Sequence, residues 1–499
     1  MTKFLSFQRL TIAVFVLLTI LSACKRDDDG GSVNPGGDEE PVPNDLGINY
    51  YVSNAGNDSN DGLTPKTAWK TSARVQQHSN FEPGDMVLFR RGDTFDKLTL
   101  DKAGNGTVDE PIIFGAYGNE DLDRPIINGD RTPFSFAINL RNMGGWIIQD
   151  LKVQGANGDQ IHIQPIEANC DNIKILNCHI DGVNGRHCIR FDTDIRSGNF
   201  FGCSNVEVAY NLIENAGQNF DNTSDGVNGP NIQKNGYIHH NEFFNNKSEA
   251  VDLGAGKGHI VEYNLMDGNN DRDSGGIKTH VQSGNQINDT ENIDLRYNVI
   301  KNCIQHAIQI QDGRSIRVFN NTIYHNQQNG KNALLIGTAN DNQYDDNSWI
   351  GSNEIKNNIF HGVTHTISIT VLRWAGGRAG TPAVFWDDPN RYDIKNNIFY
   401  AGDEGNAIVI RIQTGQFMSD NQFTEYSNIA TTNNLPFSDF TAIHTNNFNV
   451  NPDFNDPDNG DFTLKPDSPA IGAGIDVGLA KDFNDKDVSN SPNIGAFEN

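Results

Sequence analysis

From about Trp146 onward, apolar residues alternate with polar ones in short runs, with no helical spacing. DQIHIQ (159–164), HCIRFD (187–192), DGVNGP (225–230), EAVDLG (249–254), GGIKTH (275–280), HAIQIQ (306–311) and NALLIG (332–337) align on a common apolar core. In a strand, alternate side chains face opposite sides, so each run predicts a strand with one inward and one outward face. Gly, Asn and Asp bound the runs and favour turns. A second motif recurs, Asn followed two residues later (three at Asn177) by an apolar residue: Asn177, Asn211, Asn241, Asn264, Asn298, Asn321, Asn358 and Asn397. Its spacing runs from 23 residues (241 to 264) to 39 (358 to 397), a solenoid period with variable insertions. A helical solenoid would need longer runs at 3.6 spacing. A propeller would show more even blades. The pattern predicts an all-β chain built as a parallel β-helix, with stacked Asn side chains bonded in a ladder at one corner.

The alignment sorts the outward positions into columns. The central one reads His162, Arg190, Asn228, Asp252, Lys278, Gln309, Leu335, and the one before it Asp159, His187, Asp225, Glu249, Gly275, His306, Asn332. The following column reads Gln164, Asp192, Pro230, Gly254, His280, Gln311, Gly337. At a coil spacing of about 4.8 Å, Asp225, Glu249, Asp252, Lys278, His280 and His306 share a patch roughly 15 Å long. Charges on a solvated face often serve solubility alone, but three acids, a lysine and two histidines on adjacent coils are costly without a counter-ion. Asp225, Glu249 and Asp252 offer hard oxygen donors suited to Ca²⁺.

The chain ends differ from this repeat. Lys3 and Arg9 precede the apolar run Leu10–Leu21, and Leu-Ser-Ala-Cys ends at Cys24. This is the layout of an export signal, too short to span a membrane. It resembles a bacterial lipobox, which implies cleavage before Cys24 and lipidation of its thiol. The charged residues that follow, Lys25–Asp29, resemble surface-export signals of Bacteroidetes lipoproteins, which implies an outer-membrane or cell-surface location. Residues 24–46, rich in Gly, Pro and acids, predict a flexible tether. The β-helix is expected over 47–450 and a closing segment that caps the far end over 451–499. Thr64–Asn80 predicts a short helix near the start, with Pro65 in its first turn. The stretches YYVS, NDSNDG, PGD, RRGDTF and PIIFGAYG resemble the opening of many secreted bacterial right-handed parallel β-helix proteins, where such a segment caps one end.

At 499 residues the chain is too long for one ordinary core, as an elongated repeat allows. Its net charge of −26 argues against nucleic acid as a partner. The five cysteines after Cys24 match no zinc spacing and predict buried thiols. The expected protein is a monomer that meets membrane only through its lipid.

SDGVN, SEAVDL and SGGIKTH resemble three stations of the family 9 polysaccharide lyases, the Ca²⁺-dependent pectate-lyase β-helices. Carried over by position, the resemblance implies Asp225, Glu249 and Asp252 as calcium ligands and Lys278 as the catalytic base. The chain departs from that family in having Ser248 before Glu249, and Val251 and Ile277 where aromatic residues are common. The implied reaction is β-elimination on a uronic-acid polysaccharide, with Arg190, His280 and His306 contacting acidic groups of the substrate. The charge of −26 repels a polyanion at long range, though salt screens this beyond about 8 Å. Two other readings stay open. One is a glycoside hydrolase using two carboxylates among Asp225, Glu249, Asp252, Asp271 and Asp273. The other is a non-catalytic glycan binder using Trp374, Trp386 and Tyr392.

Overall fold

The computed structural model describes residues 47–183, 185–192, 201–218, 224–229, 232–254, 256–268, 275–279, 290–304, 306–311, 314–325, 333–337, 353–362, 369–372, 392–400, 410–413, 423–426 and 443–498. Cys24, Asp271, Asp273, His280, Trp374 and Trp386, and the side chain of Tyr392, fall outside that set.

The fold is a right-handed parallel β-helix. One coil illustrates it: Ile232–His239 lies in the first sheet, Glu242–Phe244 in the second and Glu249–Leu253 in the third. The next coil repeats the order with Ile260–Glu262, Leu265–Asp267 and Gly275–Thr279. Among the described residues the three sheets hold fourteen, eleven and twelve strands. Neighbouring coils pair in parallel; Phe423–Tyr426 pairs antiparallel with Ile410–Gln413 and covers an edge that would otherwise be open.

Inward positions stack in columns between the sheets. In the second sheet Ile180, Ile213, Phe243, Met266, Ile300, Ile323, Phe360 and Phe399 follow one another in register, all essentially inaccessible. Burying each such side chain contributes about 1.5–3 kcal/mol. All five described cysteines are buried and free.

The corner between the first and second sheets carries the asparagine ladder. Each Asn amide donates to the next Asn side-chain oxygen along Asn211, Asn241, Asn264, Asn298, Asn321, Asn358, Asn397 and Asn447, at 2.9–3.0 Å. The residue before each one turns the chain with a positive φ: 59° at Tyr210, 52° at His240, 54° at Tyr263 and 50° at Tyr297. Asn177 is not a ladder member. It occupies the preceding, exposed position, and Cys178 holds the ladder place, its N–H donating to Asn211 Oδ1 at 2.8 Å. The sequence motif was offset there by one residue because Asn suits both positions, as ladder amide and as the positive-φ residue.

The N-terminal segment is not one helix. Pro65–Thr67 forms a short 3₁₀ turn and Ser72–Gln77 a six-residue α-helix, α1. Between them Trp69 is extended, its N–H bonded to the Tyr51 carbonyl at 2.9 Å and its ring stacked on Tyr50 at 5.0 Å. Burying that indole outweighs helix propensity.

Residues 451–498 run along the flank of the solenoid at the ladder corner. The Tyr263 hydroxyl donates to the Lys481 carbonyl, Asn357 Nδ2 to Ile475, Asn396 Nδ2 to Ala473, and Asn320 Nδ2 to Asn493 and Gly495. Beneath lie Tyr297, Ile359 and Ile398, in an apolar cluster with Phe454, Phe462 and Ile494.

Candidate functional site

The third sheet fixes the register of the outward columns. His162 pairs with Arg190, Arg190 with Asn228, Asn228 with Asp252, Asp252 with Lys278, and Lys278 with Gln309. The expected central column is therefore present as read. Val227, Val251 and Ile277 point inward and are buried, which turns Asn228, Asp252 and Lys278 outward. Glu249 pairs with Gly275, as expected for the column before it.

Asp225, Glu249 and Asp252 converge. One carboxylate oxygen from each lies within 4.8 Å of the other two. Lys278 Nζ stands 3.9 Å from Glu249 Oε1 and 3.8 Å from Asp252 Oδ2. Neighbours hold the acids in place. Asn228 Nδ2 donates to Asp225 Oδ2 at 2.7 Å, the Glu249 N–H to Asp225 Oδ1 at 3.3 Å, and the Ser248 hydroxyl to Glu249. On the other side the Asp225 N–H donates to His187 Nδ1 at 2.9 Å. That bond needs a lone pair on Nδ1, and burial pushes the imidazole down to about 3, so His187 is a neutral acceptor.

The electrostatics are strained by design of the column. Burial, then the charges of Glu249 and Asp252, push the Asp225 carboxyl well above the usual carboxylate range. Burial works to lower Lys278, but Asp252, Glu249 and Asp225 outweigh it and hold the ammonium above its ordinary value. A cation among the three carboxylates would relieve both. The residues fit one. Oxygens on opposite sides of Ca²⁺ are about 4.8 Å apart, twice a typical Ca–O distance, so these three can share an ion. All three donors are carboxylates, the chemistry a hard cation prefers.

Toward the N-terminal end the same face carries a second polar group. His162 Nδ1 lies 2.9 Å from Asp159 Oδ2, and Arg190 Nη2 lies 3.3 Å from Asp192 Oδ1. Burial alone would raise Asp159, but His162, His187 and Arg190 hold it at about 2. Arg190 is one coil from Asn228 and two from Asp252. His306 lies one coil beyond Gly276, whose N–H donates to the His306 carbonyl at 3.2 Å. His280 falls outside the described residues. Sequence reasoning placed Asn228, His187 and Ser248 next to the acids but gave them no role. Their part is to hold Asp225 and Glu249 through hydrogen bonds, which an outward column of mixed polar residues does not reveal.

The chain matches no protein-family model. A 96-residue stretch is 38% identical to the lacto-N-biosidase of Bifidobacterium longum subsp. longum. That match covers 18% of this chain and only 6% of the length of that relative. Among solved structures, the native GH136 lacto-N-biosidase from Eubacterium ramulus superposes with a TM-score of 0.52 at 16% identity, over 81% of this chain and 68% of that one. Pectate lyase Pel9A superposes with a TM-score of 0.51 at 15% identity, over 90% of this chain and 96% of that one. At these identities the likeness is one of fold, the parallel β-helix.

Proposed function

We propose that this chain is a polysaccharide lyase that cleaves a uronic-acid-containing polymer by β-elimination. One observation carries it: Lys278 stands beside three convergent carboxylates on the outward side of the third sheet. Asp225, Glu249 and Asp252 would hold Ca²⁺, with Asn228 and Ser248 fixing their orientation. Calcium bound there supplies neutralisation of the substrate carboxylate, which acidifies the proton at C5. Lys278, in its neutral form, takes that proton onto Nζ. The electron pair left at C5 forms the C4–C5 double bond, the C4–O bond breaks, and the leaving oxygen takes a proton from solvent water. Arg190 holds an acidic group of a neighbouring sugar through its guanidinium, and His306 lines the other side. The test is a glycan-panel digest with and without Ca²⁺. Unsaturated products absorbing in the ultraviolet, lost on chelation, support it; chelator-insensitive turnover counts against it.

A second reading, a glycoside hydrolase, is favoured by the 96-residue match to a lacto-N-biosidase. The nearest oxygens of the three acids lie within 4.8 Å of one another, closer than the about 6.5–9.5 Å of an inverting pair and near the about 5–5.5 Å of a retaining one, so a hydrolase built on these acids would be of the retaining kind. New reducing ends without ultraviolet absorbance would establish the hydrolase instead. We also propose that the protein is exported and anchored at the cell surface by a lipid on Cys24. Mass spectrometry of the mature N-terminus tests this, and an unmodified Cys24 refutes it.

A further inference from the structure

The column that carries Asp225 and Glu249 continues toward the N-terminus beyond Asp159. Because Ile138 pairs with Ile161, the residue in register with Asp159 one coil earlier is Phe136. Its ring meets the His162 imidazole edge-on at 4.2 Å. Two residues before it Phe134 is 80% exposed, the most exposed large apolar side chain among the described residues. Exposure of a lone apolar residue needs no explanation, but this one also sits on a left-handed stretch of backbone. Phe134 has φ 60° and Arg131 φ 56°, a region bulky side chains avoid. The turn that imposes them is pinned: Asp130 Oδ1 accepts from the Thr132 N–H at 3.1 Å and hydroxyl at 2.7 Å, and the Ser135 N–H donates to the Thr132 carbonyl at 3.0 Å. The Phe134 backbone packs against Gly158, where a Cβ would come within 3.1 Å of the Phe134 carbonyl carbon. Beside the turn lies a cleft of about 470 Å³ lined by Asp96, Lys97, Asn128, Gly129, Asp130 and Arg131.

An exposed aromatic on a turn whose Arg131 lines a polar cleft offers a sugar-binding chemistry: the ring packs against the C–H face of a pyranose while polar groups take its hydroxyls. We propose that Phe134 and Phe136 form a distal platform for one ring of the polysaccharide. Phe136 is three coil steps from Asp225 and four from Glu249, about 14–19 Å at the inter-coil spacing. The bound chain therefore runs along the third sheet, over His162 and Arg190, to the carboxylates a few rings away. This inference rests on the reading above that the third sheet binds a polysaccharide. It adds that productive binding depends on substrate length.

The test compares wild type, Phe134→Ala, Phe134→Trp and Phe136→Ala in full-length protein, each checked for unchanged thermal unfolding. Affinity electrophoresis through polygalacturonate, alginate and neutral xylan gives the first readout. Kinetics on a size series of whichever polymer is cut give the second. Expected are retention of wild type and Phe134→Trp, and loss of retention in Phe134→Ala. KM on long substrates should rise about tenfold, with kcat unchanged and the shortest cleaved oligosaccharides unaffected. Equal behaviour of Phe134→Ala and wild type at every length overturns the platform, as does a wild type that no polymer retains. The two proposals fail separately. Lys278-dependent turnover with an inert Phe134→Ala leaves the lyase reading standing alone. Loss of retention in Phe134→Ala with no turnover leaves the platform alone.

Discussion

Replacing Asn298 by alanine tests how much of the solenoid depends on the ladder. Asn298 is fully buried. Its amide donates to Asn321 Oδ1 at 3.0 Å, to the Val261 carbonyl at 2.8 Å and to the Arg296 carbonyl at 3.1 Å. Its side-chain oxygen accepts from the Asn264 backbone N–H at 3.2 Å and side-chain amide at 3.0 Å. Alanine removes all five bonds. The Asn264 side-chain amide keeps carbonyl partners at Ile238 and Glu262, but its backbone N–H loses the acceptor that served it. An orphaned buried donor costs about 1–3 kcal/mol and each further lost bond about 0.5–1.5 kcal/mol. With partial relaxation the expected loss is about 3–5 kcal/mol. Urea denaturation followed by circular dichroism measures it, and amide exchange at Asn264 locates it. The control is Asn177→Gly. Asn177 is exposed, and glycine tolerates its φ of 47°, so the change should stay below about 1 kcal/mol. If Asn298→Ala costs no more than Asn177→Gly, or if Asn264 exchange is unaltered, the ladder is not the support described.

Other outcomes are expected at the site and in the core. Lys278→Ala should lower kcat about 10²–10⁴-fold, and Lys278→Arg should fail as fully because a guanidinium does not deprotonate; full activity in either removes Lys278 from the mechanism. Asp225→Asn and Asp252→Asn should each abolish a Ca²⁺-induced rise in melting temperature that wild type shows, and a rise that survives both would place the ion elsewhere. His259 gives a pH test. It is buried, and burial pushes its imidazole down to about 4, so the unfolded chain binds its proton first as pH falls. Its contribution is present above about 6.5 and is lost as pH drops toward 4, by up to about 3 kcal/mol. Stability of wild type minus His259→Gln, measured by urea titration across that window, should fall with pH; a flat difference contradicts the assignment.

Much of the site was legible because a parallel strand repeat converts alignment into geometry. Once Val227, Val251 and Ile277 are aligned as inward residues, the positions of Asn228, Asp252 and Lys278 follow without further assumption. The ladder was legible for the same reason, apart from Asn177, where Cys178 fills a place that a motif search assigns to Asn, and Asn447, a ladder member that the motif misses because Asn449 follows it two residues later. What alignment cannot give is hydrogen bonding between columns. His187 accepts from Asp225, and Asn228 donates to it, through side-chain rotations that carry no sequence signature. Nor did propensity foresee Trp69, whose burial breaks the helix expected over Thr64–Asn80. Phe134 stood in no repeat and drew no attention; its positive φ is a property of the folded turn alone.

The flank packing of residues 451–498 has a consequence for biosynthesis. Their bonds reach back 118 residues from Ile475 to Asn357 and 218 from Lys481 to Tyr263. A ribosome therefore delivers the covering segment only after every coil it covers has emerged. Until then Tyr297, Ile359 and Ile398, buried in the finished molecule, face water. A nascent chain stalled before residue 451 would display a sticky, chaperone-binding seam beside an otherwise wound solenoid.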